Sequence, residues 1–352
     1  MIRVGPEHRA QAALFFGALG LALVLDEGAL GVYVQVALAA IVTVGVSLLM
    51  GYAGQVSLGQ GAFYAIGAYT AGVLATSGYP SLLGLLAAPL VAAVVAAVVG
   101  TPLLLLRGHH LAFATLAVHI ISLSLFGELS LTGGDVGLQG VPRLRVLGFE
   151  LDSVRSYAVL SCVLLSAVVV MTRNILVSRP GRALRALSSS EVAAASCSIP
   201  VGRYKLAVFA LSAAIAGLAG GVYAFYMGYL APGSFPILLS IEYVVMASVG
   251  GLGSVAGALI GSVAVFLLVH GLSRLATMGG MPSTAPVILS YAVYASLLIV
   301  AVLFMPHGLS GMLEARWRRW GSARRPPAPL TAEPASTPAP DEATLRHPRS
   351  VP

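Results

Sequence analysis

One long uncharged stretch limits what this chain can fold into. From Ala29 to Leu106 the sequence contains no Asp, Glu, Lys or Arg. A helix needs about 20 apolar residues to cross a bilayer, so this stretch has room for about three spans. The whole chain is 58% hydrophobic and 9% charged, whereas a soluble domain carries about 25% charged residues. These features exclude a soluble globular protein and predict an all-α, polytopic membrane protein.

Apolar length and charged boundaries predict about ten transmembrane segments, within a range of eight to ten. They lie near residues 11–25, 29–50, 58–77, 82–106, 111–128, 156–177, 204–228, 238–250, 254–273 and 286–305. Glycine-rich sequence adjoins the third and eighth, which indicates broken or re-entrant helices. The first follows Arg3 and Arg9 as a signal peptide would. It lacks a clear small-x-small cleavage site before Asp26, so it is counted as a span.

The arginine distribution predicts the orientation. Ten spans place both termini on one side of the membrane, and most basic residues outside the spans fall there. The exceptions on the other side are Arg143, Arg145, Arg155 and Arg274. Because cytoplasmic loops are enriched in Lys and Arg, both termini are predicted to be cytoplasmic, in a bacterial inner membrane. The net charge of +7 therefore reflects topology and gives no reason to expect nucleic-acid binding.

The domain organisation follows from the same composition. Residues 1–313 are predicted to form the transmembrane domain, with a cytoplasmic loop near 178–205. Residues 314–352 begin with a basic cluster and continue as a sequence rich in Pro and Ala. Such a segment cannot bury enough apolar surface to fold, so a disordered cytoplasmic tail is predicted.

Polar side chains within the predicted spans are candidate pathway residues. Gln55, Ser57, Gln60 and Tyr64 cluster among glycines between positions 51 and 64. They indicate a cavity or a helix interruption that lines a translocation pathway, or hydrogen bonds between helices without solute contact. Glu242 is the most conspicuous charge within a span. It is either a functional carboxylate or a solvated residue near the interface.

Small-residue spacing predicts close helix packing. Gly253, Gly257 and Gly261 recur every four residues, and Gly217 and Gly221 repeat the spacing. Contacts within the fold are the favoured interpretation, and an interface with a partner subunit is the alternative. Residues 51–56 and 217–222 also form a weak internal repeat with four identical positions.

Motifs for metal or nucleotide chemistry are missing from the sequence. The histidines from His109 to His307 have no metal-site spacing and are interpreted as interfacial or packed side chains. Neither HExxH, Gly-x-Ser-x-Gly nor a Walker A motif occurs. Cys162 and Cys197 are predicted to be free thiols. The chain is therefore not expected to bind a metal or cofactor, or to hydrolyse ATP itself.

The predicted loop at 178–205 has signals for two short helices. Pro180 favours the start of the first, Ser188 to Ser190 offer caps for the second, and Pro200 ends it. A basic amphipathic element of this kind suits docking to a soluble protein. A solvated loop whose arginines only fix topology is the alternative.

Four motifs in order resemble those of one protein family. They are Gly51–Phe63, Thr132–Gly134 with Gly137–Leu138, Gly181–Ala186 continuing to Arg203–Leu206, and Gly250–Ser254 with Gly257. Over roughly residues 30–312 the chain resembles the permease subunits of branched-chain amino acid ABC importers, of the LivM type. The resemblance implies an importer-permease fold with pseudo-symmetric halves.

The same resemblance implies partners. They are a second homologous permease that completes a heterodimer, two ATPase subunits that hold ATP and Mg²⁺, and a periplasmic solute-binding protein. The loop resembles the family's coupling helix, with candidate contacts at Arg182, Arg185, Glu191, Ala193 and Ala194. Relatives usually have a glycine after this Glu-Ala-Ala stretch where this chain has Cys197, so its turn is expected to differ.

The leading hypothesis is therefore an ATP-driven importer subunit for branched-chain amino acids or related small polar solutes. An ion-gradient-driven secondary carrier is the alternative, with Glu242 as its ion site. An intramembrane enzyme has little support, because no catalytic constellation is present. The sequence does not identify the solute.

Overall fold

The computed structural model describes residues 24–106, 108–146 and 148–277, together with positions 17, 20, 22, 288, 289, 292, 293, 295 and 296. The α-helices are α1 (Glu27–Ala53), α2 (Gln60–Thr76), α3 (Ser81–Leu103), α4 (His109–Glu128), α5 (Val154–Val177), α6 (Arg179–Ser189), α7 (Glu191–Ser196), α8 (Val201–Met227), α9 (Ile237–Gly250) and α10 (Val255–Thr277). A short antiparallel hairpin, β1 (Arg145–Val146) and β2 (Phe149–Glu150), lies between α4 and α5.

The described helices confirm the polytopic all-α prediction. Each predicted span from the second to the ninth coincides with a helix, namely α1, α2, α3, α4, α5, α8, α9 and α10. Seven helical stretches in this part of the chain are long and apolar enough to cross a membrane. The tenth predicted span, most of the first, and the predicted tail lie outside the described residues, so the count of ten stays a prediction.

Helices α1 and α8 form the centre of the packing. Both are buried over most of their length, and α8 packs against α1, α2 and α3. Small residues allow the close approach, because a Cβ at Gly217 would lie 2.5 Å from Cβ of Ala92. Gly221 faces Ala88 in the same way. These two glycines therefore pack within the fold.

The second glycine series divides between a helix and a turn. Gly257 and Gly261 lie on α10, where their backbone contacts Gly250 of α9. Gly253 precedes α10, has a positive φ of 78°, and contacts Gly51 at the end of α1. The prediction that all three share one helix face is wrong for Gly253, because α10 begins only at Val255.

The predicted internal repeat has two different local structures. Residues 51–56 end α1 and enter a non-helical segment, whereas residues 217–222 lie inside α8. The repeat therefore does not mark equivalent positions. Cys162 is buried and Cys197 is exposed, and both are free thiols as predicted.

The two ends of α5 define two sides of the molecule. The β-hairpin precedes α5 and the short helices α6 and α7 follow it, so they lie at opposite ends. On the hairpin side, Arg143 pairs with Asp152 at 3.4 Å and Arg145 pairs with Glu150 at 2.6 Å. Two of the basic residues that fall opposite the predicted cytoplasmic side are thus matched by carboxylates.

Candidate functional site

The chain leaves helical structure between α1 and α2. Helix α1 ends at Ala53, and Gly54 adopts a left-handed conformation with φ 63°, which glycine tolerates without a steric penalty. Residues 54–59 are non-helical, and α2 starts at Gln60. We call residues 54–59 the break.

The break runs into the protein interior along α4. At one end Gln55 shares a small cavity with Leu111, near the start of α4. Further along, the backbone N–H of Leu58 donates to Oγ1 of Thr115 at 2.9 Å. Beyond the break, Gly61 abuts the ring of His119. From Leu111 to His119 the rise is about 12 Å at 1.5 Å per residue. Helix α2 therefore begins well inside the fold, and its 17 residues make it shorter than a usual span.

A second short helix begins at the same place. The backbone N–H of Gly61 donates to Oγ of Ser240, in the first turn of α9, at 2.8 Å. The same hydroxyl lies 2.9 Å from Nδ1 of His119. Helices α2, α4 and α9 thus meet in a buried polar cluster made of Gly61, His119 and Ser240.

His119, Ser240 and Thr115 were not among the predicted site residues. Their side chains are at most 1% exposed. The available signal was a polar residue inside an apolar span, which in lipid indicates a partner or a cavity. The sequence predicted that the histidines are interfacial or packed. His119 is packed, but its position beside α2 and α9 was not predicted.

The predicted pathway residues Gln55, Ser57 and Gln60 are brought together on the break and the first residue of α2. Their exposures are 2%, 1% and 0%. Both amide atoms of Gln55 and of Gln60 lack a hydrogen-bond partner within the described protein. A buried polar group left unpaired costs about 1–3 kcal/mol, so such groups mark places where water or a ligand supplies the missing bonds.

Tyr64 lies one turn beyond Gln60 and belongs to an aromatic cluster. Its ring centroid is 5.5 Å from that of Tyr223, 5.9 Å from that of Phe235 and 6.2 Å from that of Tyr243. Phe235 is 0% exposed and also contacts Tyr69 at 5.8 Å. These rings therefore pack on one another around α2, beyond Gln60.

Glu242 lies apart from the buried polar cluster. It is two residues beyond Ser240 on α9, and residues at this spacing point to different helix faces. Its side chain is half-buried and engaged in an interaction. The structure therefore does not group Glu242 with Gln55, Ser57 and Gln60 on the break.

The loop near 178–205 contains two helices with the predicted start signals. Pro180 lies in the first turn of α6. Oγ of Ser190 accepts the N–H of Ala193 at 3.2 Å and caps α7. Arg185 donates to the carbonyl oxygen of Leu176 at 2.7 Å, which fastens α6 to the end of α5, whereas Arg182 is exposed.

Helix α7 presents one face outward and one inward. Glu191, Val192 and Ala193 are exposed, and Val192 is 79% exposed although it is apolar. Ala194 is only 2% exposed and packs inward. Of the two alanines predicted as contacts for a partner, the structure leaves Ala193 accessible and buries Ala194.

The turn after α7 contains a left-handed residue at Ser198 and not at Cys197. Cys197 has an ordinary φ of −85°, whereas Ser198 has φ 60°, the one non-glycine residue with positive φ in the described chain. The N–H of Ile199 donates to the oxygen of Ala194 and that of Ser198 to the oxygen of Ala195, which forms a Schellman cap. The position in this turn best suited to glycine is therefore Ser198, and the expected difference from relatives at Cys197 stays a prediction.

A polar cavity of about 80 Å³ joins the break to α7. It is lined by Gly54, Gln55, Leu104, Leu106, Gly108, Leu111, Glu191 and Lys205. Glu191 and Lys205 form an ion pair at its wall. Gln55, a predicted pathway residue, and Glu191, a predicted coupling residue, thus line the same cavity.

A much larger cavity of about 1780 Å³ opens between α1, α5 and α10. Its wall is mostly apolar and contains no residue of the break. Neither its position nor its chemistry connects it with the polar residues, so it is not the candidate site.

Short helices that begin inside the fold of a multi-pass membrane protein are typical of transporters. The family model described as branched-chain amino acid transport system, permease component, matches residues 28–303. The chain therefore belongs to this family, which confirms the resemblance based on the four motifs.

Individual relatives agree with this assignment. The high-affinity branched-chain amino acid transport system permease protein LivM of Salmonella typhimurium LT2 is 31% identical, and that of Escherichia coli K12 is 30% identical. Each match covers 69% of this chain and 63% of the relative, so the chain spans less than two thirds of LivM. LivH of E. coli K12 is 27% identical over 78% of this chain and 92% of its own length. No solved structure matches the chain.

Proposed function

We propose that this chain is the membrane-spanning permease subunit of an ATP-binding-cassette importer. It moves branched-chain amino acids or related small polar solutes inward. Family membership supports the transport class, and the names of the LivM relatives support the solute class.

The observation that carries the proposal is the cavity shared by the break and α7. A transporter subunit driven by separate ATPases needs a docking surface in contact with the pathway. Glu191 on α7 and Gln55 on the break line one cavity. A movement of α7 can therefore be transmitted to the break directly, because the two border the same cavity.

In the proposed mechanism, solute passes by alternating access along the polar residues Gln55, Ser57 and Gln60. Interrupted helices expose backbone groups that can replace the water lost by a polar solute. In this proposal the aromatic cluster around Tyr64 and Phe235 closes the pathway on the hairpin side. Helices α6 and α7 transmit motion from the ATPases, with Glu191 and Ala193 at the contact and Arg182 beside it.

The proposed assembly contains four chains besides this one, whereas a self-sufficient carrier would work as a single chain. Its members are a second homologous permease, two ATPases that bind ATP and Mg²⁺, and a periplasmic solute-binding protein. LivM and LivH are both named as permease proteins of branched-chain amino acid transport systems, which supports a second permease as partner.

The proposed orientation places α6, α7 and both termini in the cytoplasm of a bacterial cell, with the chain in the inner membrane. Arginines on α6 and carboxylate-paired arginines on the hairpin side support it. Residues 1–313 form the transmembrane domain in this proposal, and residues 314–352 form a cytoplasmic tail.

Reconstitution with the cognate ATPases and binding protein tests the proposal. Radiolabelled leucine should accumulate in proteoliposomes only with hydrolysable ATP and with all partners present. Vesicles that lack the ATPases but carry a proton or sodium gradient are the control. Accumulation driven by that gradient would replace the importer with a secondary carrier.

A further inference from the structure

Lys205 lies in the third motif but was not among the predicted coupling residues. It is near the start of α8, and its ammonium group pairs with the carboxylate of Glu191 at the start of α7. Both side chains line the same cavity as Gly54 and Gln55. The pair therefore connects the exposed helix α7 to a spanning helix at the entrance of the break.

The exposures of these side chains distinguish an outer and an inner end of the cavity. The side chain of Glu191 is 47% exposed, that of Lys205 is 16% exposed, and Gln55 is 2% exposed as a residue. Exposure thus falls from α7 toward the break. The ion pair lies at the solvent end of the cavity and Gln55 at its inner wall.

The cavity has the size and polarity of a hydrated vestibule. About 80 Å³ accommodates a few water molecules, since one water needs about 10–15 Å³ of this kind of volume. It is too small for a branched-chain amino acid. The unpartnered amide of Gln55 supplies a donor and an acceptor at its wall.

We propose that Lys205 is a coupling residue, and that its ion pair with Glu191 holds the cavity beside Gln55 closed until α7 is displaced. The inference rests on the proposed function for its role in transport. The closure itself is a property of this chain alone. Displacement of α7 breaks the pair, admits cytoplasmic water to the break and lets solute leave the break for the cytoplasm.

The strength of the pair suits a reversible contact. An ion pair with this exposure contributes at most about 1 kcal/mol. That is a factor of about five in an opening equilibrium, since about 1.4 kcal/mol corresponds to tenfold. Docking of a protein partner readily supplies this much, so the contact opens without the loss of the fold.

Thiol labelling tests the closure without any partner. Cys162 and Cys197 are first replaced by serine, and the reporter Gln55→Cys is introduced. A membrane-impermeant maleimide is added to everted vesicles. With Lys205→Ala, the labelling rate at position 55 should rise about two- to fivefold, and Glu191→Lys with Lys205→Glu should return it toward the starting rate. A cysteine at the exposed position Ser188 should react equally in all backgrounds.

An unchanged labelling rate in the Lys205→Ala background would overturn the proposal. If Gln55→Cys does not fold, Leu111→Cys reports from the same cavity wall, where the native side chain is 3% exposed. The same rise and the same restoration by charge exchange are expected there. If the labelling rate rises and the exchanged charge pair does not lower it again, the cause is loss of packing. That result would also overturn the proposal.

A second experiment addresses transport. Glu191→Cys and Lys205→Cys are joined by a short reversible bis-methanethiosulfonate linker in the reconstituted importer. Uptake should stop on linking and recover on reduction, while either single cysteine is unaffected by the reagent. Full uptake by the linked protein would exclude opening at this pair. Absence of ATP-driven uptake by the unmodified protein would refute the proposed function and leave the labelling result standing.

Discussion

The backbone N–H of Gly61 donates a hydrogen bond to the side-chain oxygen of Ser240 at 2.8 Å. The bond joins the first turns of α2 and α9, and the imidazole of His119 completes the group at 2.9 Å from the same oxygen. The first N–H groups of a helix have no partner within that helix. Ser240 supplies one to α2 from a different element, and so ties the start of α2 to the first turn of α9.

Replacement of Ser240 by alanine should destabilise this junction. The change leaves the Gly61 N–H and one nitrogen of His119 without their partner in a buried site, at a cost of about 1–3 kcal/mol. Ser248→Ala, on the same helix, is the matched control. Thermal unfolding in detergent should show a lower midpoint for Ser240→Ala than for Ser248→Ala. Equal midpoints would mean that the bond contributes nothing measurable.

Gly61 should not tolerate even a methyl group. A Cβ there would lie 2.5 Å from Cε1 of His119 and 2.8 Å from Oγ of Ser240. Overpacking of this kind costs about 1–3 kcal/mol, so Gly61→Ala should reduce the yield of folded protein. Gly28→Ala is the control, because nothing lies within 4 Å of a Cβ at Gly28. Adding His119→Ala to Gly61→Ala should restore part of the loss, and no restoration would contradict the steric explanation.

The sequence was sufficient for the second to the ninth spans, because burial in lipid demands long apolar helices and these are visible in composition. The non-helical segment at 54–59 follows from glycine and polar residues in one stretch, so its location was also predictable. The meeting of Gly61, His119 and Ser240 was not. Their relation depends on how α2, α4 and α9 pack, and one polar residue in each apolar segment carries no information about the others.

Most of the remaining differences between the sequence predictions and the structure concern the exact ends and faces of helices. Gly253 has the spacing of a helix face, but α10 starts two residues later, so Gly253 belongs to a turn. Ala194 looks equivalent to Ala193 in sequence, yet one faces inward and the other outward. A difference of one residue also separates Cys197 from the left-handed position Ser198. Propensity and spacing alone do not resolve positions this finely.

Ser198→Gly should stabilise the end of α7. A left-handed conformation costs a non-glycine residue about 1–2 kcal/mol, and part of the gain is offset by the greater freedom of glycine in the unfolded chain. A net gain of about 0.5–1 kcal/mol should slow amide exchange at residues 197–199 about two- to fivefold. Ser196→Gly lies within the helix and should accelerate the same amides. Faster exchange in Ser198→Gly would contradict the strain at this position.

Substitutions at an exposed and at a buried position of α7 should distinguish a defect in docking from a defect in folding. Val192 is 79% exposed and Ala194 is 2% exposed. If ATPases dock on this face, Val192→Lys removes apolar contact worth about 1–2 kcal/mol and weakens their binding about tenfold, while thermal stability stays unchanged. Ala194→Lys should lower the unfolding midpoint itself, because it forces a charge into a packed position.

Phe149→Lys, at an 80% exposed apolar residue on the hairpin side, is the control for the added charge. ATPase binding, uptake and thermal unfolding are measured on the same preparations. Unimpaired binding and uptake by Val192→Lys would place the docking surface elsewhere.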